Sequence, residues 1–240
     1  IPIWGWAHPG EKITVKIAGQ TDMVQVDRQG RWRVSLRTLK AGASLEMTVT
    51  GTNTITVKDI VVGEVWLCSG QSNMKLPLSG VQEAVRECSD AKYPEIRLFT
   101  VPQSRAGEPL ETCGGTWEIC TPESVTKFSA VGYLFGRELH KDLKKPMGLI
   151  CSAVGGTEIE LWIEYHVIKA VVEAAGDNAW PPYDPQIAEA KHQEALKNWA
   201  VAVEKAKAQG THEPDKPRKA LDPKLRKRAP ADFYNGMIRP

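Results

Sequence analysis

The sequence predicts an α/β protein: a parallel sheet carrying helices, preceded by a small all-β, sandwich-like region. Three observations lead there. Residues 1 to about 60 contain short runs in which every second residue is apolar, the period of strands with one face in a core. From residue 60 onward, near-continuous apolar runs alternate with a segment of helical period, the pattern of strands covered on both faces. Two of those runs end in turns containing glycine, as strands do where a parallel sheet opens at its carboxyl edge.

In the first region Ile13, Val15 and Ile17 alternate with polar residues, followed by Val24 and Val26, then Trp32, Val34 and Leu36, then Leu45, Met47 and Val49, then Ile55 and Val57. "DRQG" at 27–30 supplies hairpin chemistry, with a glycine able to take positive φ. These spacings predict a small sandwich over 1–59, and "IPIWGWAHPG" reads as a strand entering a turn without its first partner. "DIVVGEVWLCS" (59–69) predicts a strand buried on both faces, and "EIRLFTV" (95–101) a second. "SAVGYLFGRELHKDLKKP" (129–146) predicts a helix with Val131, Leu134, Phe135, Leu139 and Leu143 on its buried face. Lys141, Lys144 and Lys145 complement its C-terminal dipole, and Pro146 stops it. "MGLICSAVGG" (147–156) follows as another buried strand, so the alternation argues for a parallel sheet.

Beyond Trp162 the composition shifts to Ala, Glu and Lys. Leu196, Trp199, Val203 and Ala206 recur at helical spacing, with Gly210 and Pro214 marking the end. Residues 212–230 mix seven Lys/Arg with three acids and four prolines; without aromatics to stack bases they read as a solvated connector, not a polyanion surface. "ADFYNGMIRP" (231–240) turns apolar and aromatic with no stop signal, and reads as an interruption.

At 240 residues, 42% hydrophobic, the chain can bury substantial cores. A formal net charge of +2 implies neither nucleic acid nor an anionic membrane as partner. No run approaches the length of a membrane span. The chain starts at Ile1, not Met, so a leader can precede it. Five cysteines, Cys68, Cys88, Cys113, Cys120 and Cys151, do not form a dense disulfide framework. Cys113 and Cys120 can bridge a local loop or stay as two thiols. With no Cys-x-x-Cys or His-x-x-x-His pair, a zinc site is not indicated.

"EVWLCSGQSNMKLPL" (64–78) places Ser72 between a predicted strand and a helix start. Unpaired N–H groups there stabilise negative charge, as a nucleophile and its oxyanion need. The plainer alternative is a helix cap. "SAVGGTEIELW" (152–162) opens on the same predicted edge, where Gly155 and Gly156 can bring a backbone N–H close to a ligand or simply make a tight turn.

"VVGEVWLCSGQSNM", "GLICSAVGGTEIELW" and "FYNGMIRP" together resemble the sialate O-acetylesterase family, within the SGNH hydrolase superfamily of carbohydrate esterases. The resemblance implies a flavodoxin-like parallel sheet over 60–240, interrupted by a helical insertion and connector at about 163–230. It implies hydrolysis of acetyl esters on sugars with no cofactor or metal. Ser72 matches the family's nucleophile, and its N–H with that of Gly155 or Gly156 the oxyanion donors. Gln71 and Asn73 are expected to fix the turn and meet substrate. O-acetylated sialic acid is the expected substrate, with acetylxylan or another plant glycan as alternative, and the periplasm or cell exterior the expected location.

The family's further oxyanion asparagine and its Asp-x-x-His block have no match here. His8 lies in the β region, His140 on a helix flank, His166 after the glycine turn, His192 on the second helix and His212 in the connector; none is nominated as base. The chain is therefore expected to be the N-terminal part of a longer esterase, whose C-terminal remainder is its partner. A reading from another class is a non-catalytic carbohydrate-binding or assembly module using Trp4, Trp6, Trp32 or Trp180 as stacking platforms.

Overall fold

A computed structural model describes residues 1–240 except 43, 176–184, 210–212 and 218–230, and omits the side chains of 172 and 185. The chain packs as two compact units, Ile1–Gln103 with Cys113–Thr157, and Ser104–Thr112 with Glu158–Pro240. Among the described residues the fold is mixed α/β with three sheets.

The first unit begins with β1 (Pro2–Trp6), β2 (Lys12–Ile17), β3 (Gln20–Gln25), β4 (Arg31–Ser35), β5 (Leu45–Thr50) and β6 (Thr54–Ile60). β1 and β4 pair antiparallel, and the others form a sheet in the order β3-β2-β5-β6. The alternating residues meet in one cluster: Ile13, Val15, Ile17, Val26, Trp32, Val34, Leu36 and Met47. β1 lies flat on Trp32, since a Cβ on Gly5 would sit 2.9 Å from its ring. In the "DRQG" turn the Asp27 carboxylate accepts the N–H groups of Gln29 at 2.9 Å and Arg31 at 2.8 Å. The β2–β3 hairpin turns on Ala18 and Gly19, both at positive φ.

A second sheet in the same unit comprises β7 (Glu64–Gly70), β8 (Tyr93–Thr100), β9 (Trp117–Cys120) and β10 (Met147–Ala153), in the order β7-β10-β8-β9. β10 runs parallel to β7 and β8, and β9 is antiparallel. Three short or long helices belong to it: α1 (Ser72–Lys75), α2 (Ala84–Ser89) and α3 (Ala130–Leu143). Ile96, Leu98, Met147, Leu149 and Cys151 pack with Ala130 and Tyr133 to form the core.

Three sequence expectations differ from the structure: Ile55 and Val57 alternate like the other strand residues, yet both are exposed on β6. The run 59–69 is not one buried strand: Asp59 and Ile60 end β6, and β7 is an edge strand with Val65, Trp66 and Leu67 exposed. An edge strand has a neighbour on one side only, so apolar composition does not guarantee burial. In α3, Val131, Phe135 and Leu143 are exposed, while Ala130, Gly132, Tyr133 and Gly136 are buried. The small residues decide which face docks, because they let the helix approach the sheet. A Cβ on Gly136 would lie 2.5 Å from Leu149, and one on Gly132 3.1 Å from the Cys68 sulfur. The helix starts at Ser129, whose Oγ accepts the Gly132 N–H at 3.0 Å, and stops with Lys144 in the left-handed region.

Arg137 of α3 donates to Glu87 of α2 and to Glu138 beside it. Its hydrogen bond holds the Glu87 carboxyl below the ordinary 4.5. A folded pKa below the unfolded one means that this contribution is present above about pH 4.5 and is lost as pH falls through the lower folded value. Urea unfolding from pH 6 to 3 should therefore show the protein losing its advantage over Glu87→Gln in that acid window, and an unchanged difference would rule the linkage out.

The second unit contains α4 (Tyr165–Ala175) and α5 (Pro185–Gln209). Its C-terminal stretch is packed, not trailing: Phe233 stacks on Trp162 at 5.0 Å, and Asn235 donates to the carbonyls of Ala106 at 3.1 Å and Gly107 at 3.2 Å. Asn235 also accepts the Leu110 N–H through its main chain at 3.0 Å, so 231–238 anchors the 104–112 segment. Trp180, Gly210, His212 and most of the expected connector lie outside the described residues.

Candidate active site

β7 and β10 end side by side, with Ser69 opposite Ser152 and Gly70 opposite Ala153. The chain turns at Gly70, φ +147, and its carbonyl accepts the Val154 N–H at 3.2 Å, which ties the two corners together. Gln71 occupies the N-cap position of α1, and Ser72 is its first residue. No side chain caps this turn, so the geometry does not make Ser72 a capping serine. Its side chain is exposed and, among the described residues, has no hydrogen-bond partner.

α1 is a single turn in which the Lys75 N–H returns to the Gln71 carbonyl at 2.9 Å. A macrodipole builds up over aligned peptides, so one turn supplies little of it. Stabilisation of an oxyanion here must come from individual first-turn N–H groups, which have no intrahelical acceptor. The turn is held from behind. Ala130 N–H bonds to the Leu76 carbonyl at 2.9 Å, Leu78 N–H to the Phe128 carbonyl at 3.0 Å, and Ser129 Oγ lies 3.4 Å from the Met74 sulfur. Gln71 and Asn73 are exposed, their side chains make no hydrogen bond among the described residues, and Gln71 takes part in the turn through its main-chain carbonyl.

The glycine pair faces this turn. A Cβ on Gly155 would lie 3.6 Å from both Cα and Cβ of Ser72. That is ordinary contact, so a methyl would fit while covering space over the serine. Gly156 differs: a Cβ would meet nothing within 4 Å, but its φ of +68 is left-handed. Thr157, buried, closes the turn by donating to the Val154 carbonyl at 2.8 Å. Two distinct outcomes are expected. Gly156→Ala should lower stability by about 1 kcal/mol from backbone strain. Gly155→Ala should leave the melting temperature nearly unchanged, since its methyl makes only ordinary contact with Ser72; equal stability losses for both would contradict this difference.

Beneath the corner, Cys68 and Cys151 are register partners, both buried as free thiols, with burial pushing each pKa up. Cys113 and Cys120 are also unpaired, which settles the local-bridge alternative, and burial pushes Cys120 up to about 12. Raised thiol pKa values make Cys68, Cys120 and Cys151 poor nucleophiles.

No histidine hydrogen-bonds Ser72 among the described residues. His140 bonds the Lys145 carbonyl at 2.7 Å and packs edge-on to Tyr93, a structural position. His166 is exposed beside Glu164 at 3.4 Å in the second unit. Sequence reasoning missed Gly70 and Thr157, whose roles rest on backbone angle and a three-residue hydrogen bond. A polar residue directly after a double glycine was the available signal for Thr157.

The carboxyl edge of β7 and β10, where Ser72 lies exposed against the Gly155 corner, is where open α/β folds place ligand sites. The sequence profile of the family described as carbohydrate esterase, sialic acid-specific acetylesterase, matches residues 62–209. The chain is 38% identical over 188 residues to sialate O-acetylesterase of Rattus norvegicus, covering 70% of this chain and 35% of that protein. It is 35% identical over 211 residues to the Homo sapiens protein of the same name, covering 79% and 40%. A carbohydrate acetylesterase from Xanthomonas citri superimposes with a TM-score of 0.67 at 33% identity, covering 75% of this chain and 41% of that one. The chain belongs to the sialic acid-specific acetylesterase family of carbohydrate esterases. It spans 35 to 41% of the length of these relatives.

Proposed function

We propose that this chain carries the nucleophile half of a serine esterase that removes O-acetyl groups from carbohydrates, with O-acetylated sialic acid as the first substrate to test. The observation that carries the reading is the exposed Ser72 held against the Gly155–Gly156 turn at the carboxyl edge of β7 and β10. Names of the relatives, sialate O-acetylesterase and carbohydrate acetylesterase, support the substrate class.

In this reading Ser72 Oγ attacks the acetyl carbonyl as a base takes its proton. The oxyanion of the tetrahedral intermediate sits on the N–H of Ser72 and that of Gly155 or Gly156, each donor contributing about 3 to 4 kcal/mol. The C–O bond to the sugar breaks, the sugar hydroxyl leaves with the proton, and water then releases acetate from the acyl-serine. Gln71 and Asn73, exposed at either side, meet the sugar. The base and its acidic partner come from further polypeptide of the same enzyme, whether a C-terminal continuation or a second chain. A hydrolase portion of SGNH type from residue 60, the sandwich portion at 1–59, and a periplasmic or extracellular setting belong to this reading. No cofactor takes part in it.

Acetate release from O-acetylated sialic acid and from acetylxylan, measured on a preparation holding every polypeptide of the enzyme, tests it. Turnover of the first over the second is expected; activity on neither would reject the reading, and preference for xylan would move it to a plant glycan. One observation favours a second reading, a carbohydrate-binding module. Trp4 and Trp6 are about half exposed and pack edge to face at 5.2 Å on the outside of β1. Trp32, by contrast, is buried in the core and is no platform. Sugar binding without acetate release would favour that module.

A further inference from the structure

The turn that carries Ser72 does not hold itself. α1 is Ser72–Lys75, closed by the bond from the Lys75 N–H to the Gln71 carbonyl. Fixing the dihedrals of a first helical turn costs more than one such bond returns, so its orientation is set by what it leans on. Just past it the chain is clamped by main-chain bonds from Ala130 to Leu76 and from Leu78 to Phe128, around a bridge between Pro77 and Ser129. Within the turn itself the inward side chain is Met74, which is half-buried against the core, and Ser129 Oγ donates to its sulfur at 3.4 Å.

Ser129 is 2% exposed, and its hydroxyl has two partners among the described residues. It accepts the Gly132 N–H at 3.0 Å as the N-cap of α3, and it gives its own proton to Met74. Capping needs only an acceptor, whereas the sulfur needs a donor. If Met74 moved, a buried hydroxyl would be left without an acceptor, a cost that holds the side chain in place. The surroundings are tight as well: a Cβ on Gly132 would lie 3.3 Å from Ser129 Oγ, and one on Gly70 3.4 Å from the Met74 Cβ. Successive residues of an α-turn are about 100° apart, so Ser72 and Met74 project about 200° from one another. Seating Met74 inward therefore turns Ser72 outward, to the corner where a Cβ on Gly155 would lie 3.6 Å from the serine Cβ.

We propose that Ser129 is a positioning residue of the esterase: its hydroxyl, fixed by the first turn of α3, latches Met74 and so sets the rotation of the turn that aims Ser72 at the ester. The inference rests on the reading of Ser72 as nucleophile and adds to it a residue that acts through another. Misplacing a reacting atom by about 1 Å costs on the order of 10²-fold in rate, so a loosened turn lowers turnover more than substrate binding.

Acetate release and the rate of fluorophosphonate labelling at Ser72 test this, on the enzyme with every polypeptide present. Ser129→Ala, Met74→Leu and the double variant are compared with the unsubstituted enzyme at a temperature where circular dichroism shows all of them folded. Met74→Leu is the cleaner change, since it keeps the volume, leaves the α3 cap alone and removes the sulfur acceptor. Each single variant is expected to lower kcat and the labelling rate about 10- to 100-fold with KM within about twofold, and the double variant to be no slower than the slower single. A lower melting temperature for Ser129→Ala with unchanged kcat and labelling would overturn the inference, leaving Ser129 a helix cap and the esterase reading standing. So would a Met74→Leu variant as fast as the unsubstituted enzyme, or losses that multiply in the double variant. An unsubstituted enzyme that neither releases acetate nor labels at Ser72 would remove the esterase reading and this inference with it.

Discussion

Ser72→Ala in the assembled enzyme is expected to lower turnover of an acetyl ester by at least about 10⁴-fold, because loss of the attacking oxygen leaves only substrate binding and the oxyanion donors. The melting temperature should stay where it was. Ser72 is exposed, its hydroxyl has no partner among the described residues, and Gln71, not Ser72, occupies the cap position of α1. The combination is what distinguishes a nucleophile from a turn residue. A capping serine would lose about 1 kcal/mol of stability on truncation with activity falling in proportion. Ser72→Cys adds a control of its own, since the thiol keeps the position of the nucleophile and changes its chemistry.

The largest stability effect is expected at the contact between α3 and β10. Leu149 is fully buried and its side chain fills the space against Gly136. Leu149→Ala should cost about 2 to 5 kcal/mol, the lost transfer free energy plus the cavity left behind. Gly136→Ala should cost about 1 to 3 kcal/mol for the opposite reason, since the new methyl meets Leu149 and forces side chain or helix to shift. The two changes are coupled: with Leu149 shortened, the methyl at 136 enters the vacated space. Urea midpoints of the double variant should therefore show a loss well below the sum of the two. Simple additivity would mean that α3 does not dock through its small residues.

That contact also shows where the sequence was legible and where it was not. In β2 and β4 alternation alone is enough, since Ile13, Val15, Ile17, Trp32, Val34 and Leu36 all reach one core, whereas Ile55 and Val57 alternate equally well on β6 and are exposed. The helix at 130–143 was visible from its period and from Pro146, but its buried face was not. Val131, Phe135 and Leu143 outweigh Gly132 and Gly136 on any scale of hydrophobicity. Docking followed the smaller residues because the close approach they allow recovers more contact than larger side chains held further away.

The site was read in the same uneven way. A polar corner after an apolar run is conspicuous, which singled out Ser72 and the glycines, and the structure sets Gly155, though not Gly156, against the serine. The separate demands on the two glycines were hidden: Gly156 is fixed by backbone angle and Gly155 by the neighbour a methyl would cover. The exposure of Val65, Trp66 and Leu67 could not be read from composition, since an apolar run says that a strand needs cover but not what covers it. Asn235 is a third kind of case. It looked like part of an apolar tail, and its importance comes from two carbonyls more than a hundred positions earlier in the chain, at Ala106 and Gly107.

In the proposed function Ser72 is the group that reacts with the acetyl ester. Treating the enzyme, with every polypeptide present, with a fluorophosphonate and mapping the adduct by peptide mass spectrometry tests it most directly. A single adduct on the peptide containing Ser72, blocked by prior incubation with O-acetylated sialic acid, is the result expected. An adduct on another serine, or none on Ser72 in a preparation that releases acetate, would contradict it.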